Sequence, residues 1–326
     1  MGSACGCGMS RRAGRWSIST SQAAEQSKAG EARVALPMLA NRATRPPGPP
    51  LWTALGVAFA AVGCAPPGPK APVSATQGMR GSTFVGNAPG ARISFLRAGH
   101  AGGPCVVLVH GTPGSATGWA DYLTAPPAGA DVIALDRPGF GASAPGGAVP
   151  SLAAQAAAVI ALLPTDRRPV VLLGHAHGAP IVAWAAAQLA AEQPERSVAI
   201  VMLAGSMDPA QERVHALQHI GAWPPVKWLL PRIIRNANAE LMALQPELEV
   251  LGTILPSVKA KIVIVHGTAD DLVPVANVAY MQERFRGARC ISTVLLEGQN
   301  HFLPWNSEGA VREALRVALE IGRAQV

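Results

Sequence analysis

Four short segments carry residue types that can do chemistry, and each follows an apolar run. The run Cys105 to Val109 leads into His110-Gly111-Thr112-Pro113-Gly114, a tight loop whose backbone N–H groups could face a developing oxyanion. The run Val170 to Leu173 leads into Gly174-His175-Ala176-His177-Gly178 and then directly into a helical stretch. Two later runs end in His266-Gly267-Thr268-Ala269-Asp270 and in Gly298-Gln299-Asn300-His301. Histidine and carboxylate at the ends of strands are the materials of acid–base catalysis, placed where open α/β sheets build their sites. The centre of the second segment carries none of this. Ala176 has no lone pair and no ionisable proton, so it forms no covalent intermediate.

With Asp136-Arg137-Pro138-Gly139-Phe140-Gly141-Ala142-Ser143 added, these motifs in this order resemble the α/β-hydrolase superfamily, in its esterase, lipase and peptidase-like branch. The resemblance covers about residues 80–323. It implies that Gly174 to Gly178 is the family's G-x-S-x-G turn with Ala176 at the nucleophile position. It also implies that Asp270 is the acid and His301 the base, and that the backbone N–H groups of Thr112 and His177 form the oxyanion hole. Asp271 and Asp208 remain alternatives for the acid. The family usually has glycine before its base, where this chain has Asn300. A water in the space of the absent hydroxyl, activated by His301, would give hydrolysis without a covalent intermediate. No cofactor and no metal is expected. Glu212, His215 and His219 have a spacing that could hold a metal on one helical face, but a solvated face is the expected reading. Ser115, Ser143 and Ser206 are expected in turn or capping roles. His175 and His177 should point away from the direction of Ala176.

The elements that must position these residues follow from the alternation of apolar runs with helical stretches. Strands are expected at Cys105 to Val109, Val132 to Leu135, Val170 to Leu173, Val198 to Leu203, Ile262 to Val265 and Ile291 to Leu296. Continuous Val/Ile/Leu runs fit a mostly parallel sheet covered by helices on both faces. Helices are expected at Leu152 to Leu163, Ala179 to Glu192 and Glu308 to Gly322. A helical, Trp- and Pro-containing insertion at about residues 209–256 interrupts the alternation, and it reads either as a small cap that gates the site or as a packing excursion. Its Trp and Leu content points to a small apolar ester-like or acyl ligand.

The chain of 326 residues is 49% apolar, which excludes a mainly disordered protein, and its five cysteines are too few for a disulfide scaffold. Cys105 and Cys290 are expected to be buried thiols. The formal net charge is +7, but residues 1–63 hold seven of the 27 Lys+Arg and two of the 20 Asp+Glu. The body is therefore near neutral, and nucleic acid is not an expected partner. From Met38, basic Arg42 and Arg45 precede an apolar run from Leu51 to Val62 and then Gly63-Cys64. This is the layout of a secretory signal, in a run too short to span a bilayer. Ala61-Val62-Gly63-Cys64 resembles a bacterial lipobox, which implies lipidation at Cys64 and a protein anchored in the cell envelope. Residues 1–37 are expected to be an upstream extension, 38–63 the signal peptide, 64–79 an extended Pro/Gly-rich tether, and 80–326 the folded domain.

Overall fold

The computed structural model describes residues 7–12, 15–20, 67–85 and 91–323. The signal segment and Cys64 lie outside the described residues. β1 (Cys7–Arg12) and β2 (Arg15–Thr20) form a separate antiparallel pair in a stretch where the sequence shows no periodicity. The main sheet contains β3 (Arg80–Phe84), β4 (Arg92–Gly99), β5 (Cys105–Val109), β6 (Asp131–Leu135), β7 (Val170–His175), β8 (Val198–Leu203), β9 (Lys261–Gly267) and β10 (Cys290–Leu296). Their order across the sheet is β10-β9-β8-β7-β5-β6-β4-β3. All pairings from β6 through β10 are parallel, and β4 joins antiparallel to both β6 and β3.

Every residue of β5 and β6 is buried, because both sheet faces are covered. Alternate side chains diverge accordingly. Cys105, Val107 and Val109 enter a core with α2 (Leu152–Ile160), α3 (Gly178–Glu192) and later helices, whereas Val106 and Leu108 enter a second core on the opposite face. That second core also takes α1 (Ala120–Thr124). The insertion folds as α4 (Ala216–Ala222), α5 (Pro224–Leu229) and the long α6 (Arg232–Ile254). The buried side of α6 includes Ala237, Glu240, Leu244, Leu248 and Leu251, three or four residues apart as one helical face requires. Leu244, Leu248 and Leu251 join the first core, so the later half of α6 is core and not a detachable flap. The chain ends through α7 (Ala276–Arg284), α8 (Leu303–Asn306) and α9 (Glu308–Arg323), whose Val311, Ala314, Leu315 and Ala318 complete the second core.

The expected tether differs from what is observed. From residue 67 it lies against the body: the Asp121 carboxylate accepts from the Lys70 and Ala71 N–H groups at 3.0 and 2.7 Å, and Thr76 is buried. A Pro/Gly-rich composition left these donors free to find a partner, and the first turn of α1 supplies it. Cys105 is buried as expected, and burial pushes its thiol up to about 12. Cys290 is only half-buried, at the start of the outermost strand β10.

Candidate active site

The sharp turn between β7 and α3 is built on two glycines. A Cβ on Gly178 would lie 2.4 Å from the Val109 carbonyl oxygen, and one on Gly174 would lie 2.3 Å from that of Gly178, so neither position admits a side chain. Ala176 stands at the apex with φ 51°, in the left-handed region. Its N–H donates to Leu203 of β8, and its carbonyl accepts from Ala179 of α3, both at 2.9 to 3.0 Å, which pins the apex between strand and helix.

The loop after β9 carries Asp270 and the loop after β10 carries His301. His301 Nδ1 lies 2.9 Å from Asp270 Oδ2, while Asp270 Oδ1 accepts from the Leu272 and Val273 N–H groups at 3.0 and 2.8 Å. Burial pushes the Asp270 carboxyl up, but the His301 hydrogen bond and charge and the Val273 N–H outweigh it, leaving it below its ordinary value. An ionised carboxylate on Nδ1 fixes the proton there and leaves the Nε2 lone pair available, with no hydrogen bond among the described residues. Asp271 is exposed, and Asp208 caps the short turn at Pro209–Gln211, so neither is placed at His301. Asn300 does not loosen the loop. Its Oδ1 accepts from the Phe302 N–H at 3.1 Å and from Asn306 at 3.0 Å.

A family model described as alpha/beta hydrolase fold matches residues 104–250. The chain has the α/β-hydrolase fold. Solved structures agree in topology. A bacterial membrane phospholipase A is 20% identical over 75% of this chain and 86% of its own, with a TM-score of 0.53. A putative lipase of Acinetobacter baumannii is 17% identical over 74% and 91%, with a TM-score of 0.56. The 2-hydroxy-6-oxo-6-phenylhexa-2,4-dienoate hydrolase of a Rhodococcus species is 18% identical over 74% and 98%, also at 0.56. No curated protein matches the chain in sequence. The family match covers 147 of the 326 residues, and these neighbours agree with it in fold.

Within this hydrolase fold, the backbone N–H groups of Thr112 and His177 make no hydrogen bonds among the described residues. The loop behind Thr112 is held by a buried network. Arg137 donates from Nη1 and Nη2 to both Glu240 oxygens at 2.8 and 2.9 Å, and from Nη2 to the Gly111 carbonyl at 3.0 Å. Both partners of this pair are 0% exposed. Burial pushes the Glu240 carboxyl up, and Arg137 outweighs it and holds it below its ordinary value. His110 Nε2 accepts from the Arg137 N–H at 3.1 Å, so its proton sits on Nδ1, 2.7 Å from the Gly111 carbonyl. Glu240 was not among the expected site residues. Its signal in the sequence is a glutamate four residues before the Leu244, Leu248 and Leu251 stripe, where burial requires a cation partner.

The side chains flanking Ala176 have separate partners, and both are of consequence. His175 Nε2 lies 3.0 Å from the His301 carbonyl with the two rings 4.9 Å apart, which ties the His301 loop to the turn. His177 faces Glu240 at 3.8 Å and makes no hydrogen bond there. Burial pulls His175 down to about 3 and His177 down to about 4, so both rings are neutral. Ser143 is structural: its hydroxyl donates to the Asp136 carbonyl at 2.6 Å and accepts from the Ser94 N–H at 2.8 Å. Ser115 pairs with Thr117 at 2.8 Å, and the Ser206 N–H approaches the Ala176 carbonyl at 3.4 Å. Glu212, His215 and His219 do not share a helical face, because α4 begins only at Ala216. Among the described residues, no three His, Cys, Asp or Glu are grouped as a metal site. Glu212 instead is pushed up to about 7 by burial, which outweighs the Ser206 hydroxyl.

Proposed function

We propose that this chain is a degenerate relative of the serine ester and amide hydrolases, with acid, base and oxyanion donors retained and Ala176 at the nucleophile position. The observation that carries the reading is the 2.9 Å contact of Asp270 with His301 beside a left-handed apex that bears only a methyl group. Hydrolysis then proceeds through water. His301 Nε2 takes a proton as the water oxygen attacks the carbonyl carbon, the Thr112 and His177 N–H groups hold the oxyanion, and the imidazolium returns the proton to the leaving alkoxide. Sites of this kind stripped of a triad member keep roughly 10³ to 10⁴-fold acceleration over water, so the activity is weak. The substrate class is a small, apolar ester or acyl compound, supported by the Phe302 ring against His301 and the Trp305 ring against His175.

A paired assay of the parent and Ala176→Ser on short p-nitrophenyl esters tests this. The serine variant is expected to gain at least about 10³-fold, and His301→Ala is expected to abolish the weak parental rate. A parent at background whose His301→Ala variant is indistinguishable from it favours the second reading, a non-catalytic binding or scaffold protein. The methyl group at the apex is the feature that favours that reading.

Export and a lipid anchor at Cys64 belong to the same proposal and rest on the signal-like segment before it. Labelled palmitate should enter the parent and fail to enter Cys64→Ser.

A further inference from the structure

The cap has an outward face that neither core takes up. Trp223 is 61% exposed, Trp228 75% and Leu229 85%, and Leu217, Ile220 and Ile233 are exposed beside them. Single exposed apolar residues are ordinary, but six on one short stretch of adjoining helices are not. Nothing lets this face collapse inward. Pro224 and Pro225 open α5, Pro231 separates it from α6, and α6 is fixed from behind by Glu240 and its core leucines.

The charges on this stretch are of one sign. From Arg213 to Ala239 there is no Asp or Glu, while Arg213, Lys227 and Arg232 are exposed. Tryptophan and leucine interleaved with cations suit the boundary between headgroups and acyl chains, where indole rings lie at the interface and basic groups meet anionic headgroups. A second copy of this chain is a poorer occupant, because a two-fold contact would set the same basic edge against itself.

We propose that the α4–α5 edge of the cap, centred on Trp223, Trp228 and Leu229, docks on the surface of an anionic lipid bilayer. The docking depends on no chemistry at Ala176, so it stands or falls separately from the proposed reaction. It also differs from the expected anchor at Cys64, since it is made by the folded domain.

The test uses the full chain carrying Cys64→Ser, which removes any acyl anchor, and vesicles of phosphatidylcholine with and without one third phosphatidylglycerol. Co-sedimentation should show binding to the anionic vesicles that is at least tenfold weaker to phosphatidylcholine alone and falls with added salt. Trp228→Ala combined with Leu229→Ser, and separately Lys227→Glu, should each weaken it by tenfold or more. All three positions are exposed, so unchanged melting temperatures show that the variants are folded. Absence of vesicle binding by the parent overturns the proposal. So does binding that ignores these substitutions, which would assign it to the apolar segment at Leu51 to Val62. A dimer abolished by the Trp228→Ala, Leu229→Ser variant without vesicle binding also overturns it.

Discussion

Holding an L-residue in the left-handed region costs about 1–2 kcal/mol, and Ala176 carries that strain at φ 51°. Ala176→Gly should therefore stabilise the protein by about 0.5–1 kcal/mol, and Ala176→Val should destabilise it by more; urea unfolding of the two variants checks this without reference to activity. A second residue-scale expectation concerns pH. His175 and His177 titrate at about 3 and 4 in the folded protein because of burial, below the ordinary 6.5. The unfolded chain therefore binds more protons between those values, and stability must fall as pH drops from about 6.5 towards 4. His177→Gln should flatten that fall, measured as urea midpoints at pH 7, 5.5 and 4.5. At this scale much of the site is legible in the sequence, since Asp270, His301, Thr112 and His177 each follow a strand in a motif. The link from His175 to the His301 carbonyl is not, because it joins residues 126 positions apart and no local pattern records it.

The cap helix shows the same limit for elements. The 3.6-residue spacing of Leu244, Leu248 and Leu251 gives α6 its buried face, but only the fold reveals that Glu240 on that face meets Arg137 from the loop after β6. Removing one member of such a pair leaves a buried charge alone. Glu240→Ala should cost about 3–5 kcal/mol, seen as a fall in melting temperature of roughly 10 °C. Replacing both partners together, Arg137→Met with Glu240→Leu, should cost far less, and a deficit equal to that of Glu240→Ala would show that the loss lies in packing. The five internal strands β5 to β9 and the edge strand β10 were legible as apolar runs. β3 and β4 were not, because β3 has no buried residue and β4 mixes buried with exposed positions. The Asp121 contact with Lys70 and Ala71 was equally hidden, being a side chain that accepts from the backbone of a segment 50 residues away. Asp121→Ala should expose residues 67–79 to limited proteolysis while α9 remains protected.

For the whole molecule, the distribution of charge matters more than the net value. Outside residues 1–63 the chain is close to neutral, with 20 Lys+Arg against 18 Asp+Glu, yet the stretch from Arg213 to Ala239 carries only positive charge. The remaining acids lie elsewhere, several of them in ion pairs such as those of Arg97 with Asp131 and of Arg312 with Glu308. Among the described residues no helix is long and apolar enough to cross a membrane.

The docking of residues 67–79 sets how far the domain can travel from Cys64. Sixteen free residues from 64 to 79 would make a leash of about 55 Å, enough for the body to swing and sample a wide shell of solvent. With the chain seated on Asp121 from Lys70 onward, six residue steps separate Cys64 from the first docked position, a span of at most about 20 Å. Under the proposed lipid anchor at Cys64 the domain would stand close to the bilayer, and lengthening the leash by inserting Gly-Ser repeats after Ala65 would widen its reach.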